Sequence, residues 1–242
     1  MRTKPEIVTL AGNFLRIGRR LRFCGILQDT ELPATLAKRI HVKISIFHVL
    51  AAALVVAGCA SPDRYLLSKY GSQNSLSSFV VCKNYGCAKR VMVSLIPSEW
   101  AQVRTLFLPA APDASVERQQ VRHAIALMET LVGPKAGTAS DKAGADIINF
   151  DREGQLDCID ETYDTTTYLR LFVADGLLKW HDVGEPAERG YILDRRPHNT
   201  ATIIEHGSGA AYSVDSWFHA NGEMPETIPL KVWLAGWSPP KA

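Results

Sequence analysis

Several patterns that would name a chemistry at once are missing from this chain of 242 residues. There is no H-E-x-x-H or comparable histidine spacing, so no run of sequence supplies the three or four convergent ligands that zinc needs. No glycine-rich loop follows a strand-like run to cradle a phosphate. No internal repeat is visible. Beyond residue 58 no basic stripe with interleaved aromatics remains, so nucleic acid is not an expected partner, and no cofactor is expected either. Nor is there an apolar run of about twenty residues, the length that spans a bilayer.

The longest apolar run falls short of that length and is informative for it. Ile44 to Cys59 reads I-S-I-F-H-V-L-A-A-A-L-V-V-A-G-C, behind Lys38, Arg39 and Lys43 and ahead of the polar Ser61-Pro62-Asp63-Arg64. A basic n-region, an apolar h-region and a small-residue cleavage site make a secretory signal over 38–58, with a short transmembrane helix as the rival reading. The terminal V-A-G-C resembles the lipobox of bacterial lipoproteins. That resemblance implies that Cys59 is lipidated and becomes the first residue of the mature chain, so the membrane is a partner through an N-terminal lipid anchor. Ala60, which is not Asp, then implies the outer membrane, facing the periplasm. Residues 1–37 form an N-terminal extension, either a basic arm around Arg16 to Arg22 or the product of a start placed too far upstream.

Residues 1–58 hold nine Lys/Arg and three Asp/Glu, which leaves 18 basic and 22 acidic groups in the remaining 184 residues, a net −4 against +2 for the whole chain. That length suits one domain with a sizeable core. We expect 59–78, polar and Ser-rich, to be a tether, and 79–242 to be a single α+β domain.

The five cysteines sort by position. Cys24 lies in the extension and Cys59 at the lipid site. Cys82 and Cys87, in C-K-N-Y-G-C, are close enough to bridge in an oxidising envelope, and a metal pair is the alternative. Cys158 is left over, either buried and inert or reactive.

Strands are expected at Phe79 to Val81 and Arg90 to Ile96, with Ser98 to Leu108 a helical turn or a third strand. Val121, Ile125, Met128 and Val132 recur at helical spacing, predicting a helix from an N-cap at Ser115 to a stop at Gly133-Pro134. Lys135 to Ala145 reads as a mobile loop. A second helix is expected from an N-cap at Asp157 to Gly176, with Ile159, Thr162, Thr166, Leu169 and Val173 as its inner face. Strand-like runs follow at Leu177 to His181, Thr200 to Glu205 and Ala211 to Trp217, the last two joined by Gly207-Ser208-Gly209.

Cys158 falls in the first turn of that second helix, where unsatisfied N–H groups favour a thiolate, while Asp157, Asp160 and Glu161 oppose it. A base is therefore required. His198 heads one strand and Asp215 ends the next, which suits an imidazole and the carboxylate that orients it. The motifs L-D-C-I-D-E at 156–161, H-N-T-A-T-I-I-E at 198–205 and Y-S-V-D-S-W at 212–217 come in the order Cys, His, Asp at intervals of 40 and 17 residues. Over about 113–237 the chain thus resembles the papain-like transglutaminase superfamily, particularly its bacterial cysteine-peptidase branch. Asn199 stands where an aromatic is common, and no G-x-C precedes Cys158.

The resemblance implies a transglutaminase-like or papain-like core, with a catalytic Cys at a helix N-terminus packed on an antiparallel sheet. It implies thiol-dependent amide hydrolysis or acyl transfer on envelope protein or peptidoglycan peptides. Gln155 is the candidate oxyanion donor beside the Cys158 N–H. The alternative is a non-catalytic envelope lipoprotein that serves as a binding or assembly module, with Cys158 merely a core residue. His123, His181, His206 and His219 have weaker claims. One geometric obstacle stands: a tight turn on 207–209 pairs His206 with Ala210 and sets His198 opposite Phe218. Three residues, roughly 10 Å, would then separate it from Asp215 unless the loop is wider or a bulge intervenes.

Overall fold

The computed structural model describes residues 62–71, 74–146, 148, 151–190 and 197–240. The expected extension, the signal and Cys59 lie outside these residues. In chain order the elements are α1 (Pro62–Tyr70), β1 (Phe79–Lys83), β2 (Lys89–Val93), α2 (Pro97–Thr105), α3 (Ala114–Ala136), α4 (Cys158–Ala174), β3 (His181–Val183), β4 (Ala187–Arg189), β5 (His198–Glu205), β6 (Ala211–Val214) and α5 (Leu230–Leu234). This is an α+β arrangement with antiparallel sheets. No helix among the described residues is long and apolar enough to cross a membrane.

Helix α4 is the axis of the fold. It packs on β1 on one side and on β5 on another, and every residue from Asp160 to Leu169 is buried. That explains why an amphipathic reading of this segment fails. A helix covered all round shows no stripe, and Val173, expected on the inner face, is exposed. The β-branched run Thr165-Thr166-Thr167 is tolerated because tertiary packing outweighs a propensity deficit of a few tenths of a kcal/mol per residue. On α4, the Tyr168 and Phe172 rings meet Phe79 and Phe107 edge to face, and Phe172 also meets Trp100 at a tilt.

Helix α3 has its N-cap two residues earlier than expected, at Asp113, whose side chain accepts the Val116 N–H. It also runs through Gly133-Pro134 to Ala136. Proline removes one N–H, but Val132 and Ala136 are core residues, and the left-handed Gly137 closes the helix on the Gly133 carbonyl. Part of the expected tether is likewise helix: α1 buries Leu66 and Leu67 against Val80, Cys82, Cys87 and Tyr163.

Strand β5 is the centre of the larger sheet. β6 lines one edge, and β3 and β4 together line the other, with the Gly184 N–H donating to the Thr202 carbonyl between them. The register shifts by one residue across Gly184-Glu185-Pro186, which makes the junction a bulge. Gly184 is required there, because the Thr202 hydroxyl fills the space a Cβ would take. The β5–β6 loop holds four residues, His206 to Gly209, and the Glu205 N–H donates to the Ala210 carbonyl. Ala201 therefore pairs with Val214, one step from the register that a tight turn predicts. Side chains alternate faces with period two, so that single step decides which residues meet.

Candidate active site: a thiol and a histidine–aspartate pair in one cleft

With Ala201 opposite Val214, Thr200 falls opposite Asp215, and His198 lies two residues along on the same face. The imidazole reaches diagonally to Asp215: Nε2 and Oδ2 are 2.8 Å apart. The same Oδ2 accepts the Trp233 indole N–H at 2.7 Å. The main chain of Asp215 is also fixed, exchanging both of its hydrogen bonds with Glu226 at 2.9 Å. His198 and Asp215 are both buried, and the imidazole is walled by Trp217, Phe218 and Trp233 at centroid distances of 4.6, 5.2 and 5.4 Å. An ionised Asp215 accepts only, so Nε2 carries the proton and Nδ1 is the basic nitrogen.

Cys158 is the first residue of α4 and half-buried, and it takes no part in the disulfide. Asp157 caps the helix as expected, accepting the Ile159 and Asp160 N–H groups at 3.1 and 3.0 Å. The sequence reading missed what holds this turn from outside. The Cys82–Cys87 disulfide closes a loop in which Asn84, Tyr85, Gly86 and Cys87 are all left-handed, with φ of 69, 64, 64 and 56°. Successive N–H groups then point the same way, an anion-binding nest. Tyr85 and Cys87 donate to Asp160 at 2.8 and 2.6 Å, and Gly86 donates to Asp157 at 2.8 Å. Cys82 donates to Asp164 at 2.7 Å, one turn further along α4. The spacing Asp157, Asp160, Asp164 on one helix face was the available signal. These carboxylates anchor a hairpin, in addition to any field they exert on the thiol.

Cys158 and His198 line one cleft of about 910 Å³, together with Tyr85, Gly86, Arg152, Arg189, Asn199, Trp217 and Leu234. Asp215 stands behind His198. Arg189 stacks 4.1 Å from the Trp233 ring centroid and donates to the Trp233 carbonyl oxygen, which fixes α5 against β4. Gln155 does something other than the expected oxyanion work. Its amide donates to the Ser140 carbonyl at 3.1 Å, and its oxygen accepts the Lys142 N–H at 3.1 Å. It pins the segment expected to be mobile, which is held further by Gly144 N–H to Trp217 O at 2.7 Å and Trp217 Nε1 to Ala145 O at 2.8 Å. The loop is thereby a brace for Trp217, and through it for His198.

Behind the thiol lies a second group of carboxyls. Burial pushes Glu129 up to about 8 and Asp141 up to about 7, and it raises Glu161 and Asp164 as well. Asp141 and Glu161 share a hydrogen bond, and Asp141 accepts the Leu156 N–H at 2.7 Å just ahead of Cys158. The other histidines among the described residues lie elsewhere. His181 is clamped between Glu117, 2.9 Å from Nδ1, and Arg118, 3.2 Å from Nε2, while His123 is exposed. His206 pairs with Asp182 and His219 with Glu226.

The fold class that these elements define is α+β. No family model matches the chain, and no curated protein or solved structure matches it either.

Proposed function

We propose that this is a cell-envelope lipoprotein with a papain-like or transglutaminase-like core, acting as a thiol-dependent amide hydrolase or acyl transferase on protein or peptidoglycan peptides. The observation that carries the reading is the buried His198–Asp215 pair at 2.8 Å, whose imidazole shares a cleft with a cysteine in the first turn of a helix. Each part has a chemical task. His198 Nδ1 takes the Cys158 proton, and the thiolate attacks the amide carbonyl. The C–N bond then breaks, and the amine leaves with the proton returned by His198, which yields a thioester. Water or a second amine, deprotonated by His198, attacks the thioester, and the C–S bond breaks to restore the thiol. Asp215, with the Trp233 N–H, keeps the imidazole in the tautomer this requires.

The test is the pH profile of Cys158 alkylation by iodoacetamide. An ordinary thiol, with a pKa near 8.5, is about 0.1% ionised at pH 5.5, so its rate there is about a thousandfold below plateau. The wild type is expected to keep a tenth or more of its plateau rate, roughly, at that pH, and His198→Ala to lose this acid-side reactivity. A wild-type profile centred near 8.5 and unchanged by His198→Ala removes the enzyme and leaves the non-catalytic binding module.

A further inference from the structure

A flexible tether of twenty residues would let the domain wander roughly 25 Å from its anchor. Helix α1 removes that freedom. Leu66 and Leu67 are buried in the domain, Pro62 lines the same cleft as Cys158 and His198, and Arg64 lies 3.9 Å from Glu185 beside α5. Cys59 precedes Pro62 by three residues, and three residues reach at most about 11 Å. A lipid on Cys59 is therefore held within about 11 Å of the cleft mouth by covalent geometry alone.

Exposed apolar side chains neighbour Pro62 and Leu234 in that cleft, whose lining also holds Arg152 and Arg189. Tyr65, one turn from Pro62 on the same face of α1, is 55% exposed. Val232 and Leu234 flank the inward-facing Trp233 on α5, and each is 45% exposed. Leu234 itself lines the cleft. Large aromatic and aliphatic side chains left in water around a lipid attachment point suit the interfacial zone of a bilayer.

We propose that the Cys158–His198 cleft opens onto the bilayer that holds the Cys59 lipid, with Tyr65, Val232 and Leu234 seated at the lipid surface. This rests on the lipoprotein reading and narrows its substrate. The amide to be cleaved belongs to a polypeptide segment lying along the membrane face, within about one extended tripeptide of the headgroups. Distant peptides would have to reach a mouth that the membrane covers.

The test uses the lipid-anchored protein carrying Cys158→Ser and Leu234→Cys, labelled with bimane and reconstituted in phosphatidylethanolamine–phosphatidylglycerol vesicles containing a spin-labelled phospholipid. With Cys82 and Cys87 bridged and Cys59 acylated, the new thiol is the one labelled. A Tyr65→Cys protein gives an independent reporter should Leu234→Cys fold poorly. Ser208→Cys, at the hairpin end of β5 and about 23 Å along the strand from His198, is the control. Quenching of about twofold or more is expected at 234 and 65 and little at 208. Equal, weak quenching at all three positions overturns the proposal. Fatty-acid probe labelling of the same preparations separates the two levels. A preparation that incorporates the probe yet shows no quenching at 234 or 65 defeats this inference alone. Failure to incorporate it defeats the anchor and the inference together.

Discussion

Asp215 offers a single oxygen, Oδ2, to two donors: the His198 imidazole and the Trp233 indole, at 2.8 and 2.7 Å. Each bond constrains the other, because a carboxylate rotated toward one donor must keep the second in reach. Removing the indole N–H should loosen the pair without deleting it. Trp233→Phe is expected to cost about 1.5–3 kcal/mol of stability, the usual worth of a hydrogen bond to a charged group. It should also move the Cys158 alkylation midpoint toward that of an ordinary thiol. Asp215→Asn should move the midpoint further, since an amide can present its own N–H to Nε2 and reverse the tautomer. A Trp233→Phe profile identical to wild type, beside a shifted Asp215→Asn profile, would assign the indole to packing alone. Residue types and order made His198 and Asp215 visible in the sequence. Their contact was not visible, because it depends on one residue of hairpin register, and the Gly-Ser-Gly run does not say whether three or four residues make the loop. Trp233 lay eighteen residues downstream on a five-residue helix, with no local pattern to mark it.

The first turn of α4 is held from outside by a hairpin loop as well as by its own cap. The disulfide closes a loop with four consecutive left-handed residues, whose N–H groups hold Asp157 and Asp160. Opening the bridge with Cys82→Ser and Cys87→Ser frees a loop of about six residues, worth about 2 kcal/mol by loop-closure entropy. Three non-glycine residues would then relax from a region that costs each roughly 1 kcal/mol or more. The nest should disperse, leaving Asp157 and Asp160 without their external donors. Thermal denaturation should register the lost stability. The alkylation midpoint of Cys158 should rise as well, since a less-compensated Asp157 carboxylate beside the thiol disfavours the thiolate. Lost stability with an unmoved midpoint would confine the loop to a structural role. The cap at Asp157 and the span of α4 were readable from composition at the helix ends. The burial of its middle was not, because polar residues there such as Asp160, Asp164 and Thr165 find partners distant in sequence, in the Tyr85, Cys87 and Cys82 N–H groups and Ser216. The passage of α3 through Pro134 was hidden for a related reason: packing of Val132 and Ala136 outweighs one missing N–H.

For the molecule as a whole, the buried carboxyls make stability a function of pH, and the sign follows from their direction. Glu129 and Asp141 are raised to about 8 and about 7, and burial lifts Asp160, Glu161 and Asp164 as well. The Asp157 charge adds to the rise at Asp160, and the members of the cluster raise one another. The folded chain keeps protons that the unfolded chain releases near its ordinary carboxyl range. Their contribution is complete below that range and is lost as pH rises toward 8, at about 1.4 kcal/mol per pH unit for each group still protonated. Other carboxylates act in the opposite sense. Lys135 holds Glu99 down, and Arg118 holds Glu205 down. Burial alone would lift Glu117, but His181 and the Lys179 and Trp180 N–H groups together keep it low. Those contributions vanish as pH falls into the carboxyl range, so stability should peak on the acid side of neutrality and decline toward pH 9. Glu129→Gln isolates one group of the first kind. Its amide oxygen can still accept the Gly222 N–H, now bound at 2.9 Å, while no proton needs to be retained. Urea unfolding at pH 5 should find the variant close to wild type. At pH 8 it should be the more stable protein, by a few kcal/mol at most given its coupling to Asp141 and Glu161. Two parallel stability curves would instead mean that Glu129 is ionised inside the fold, held by a positive group that the surrounding carboxyls do not supply.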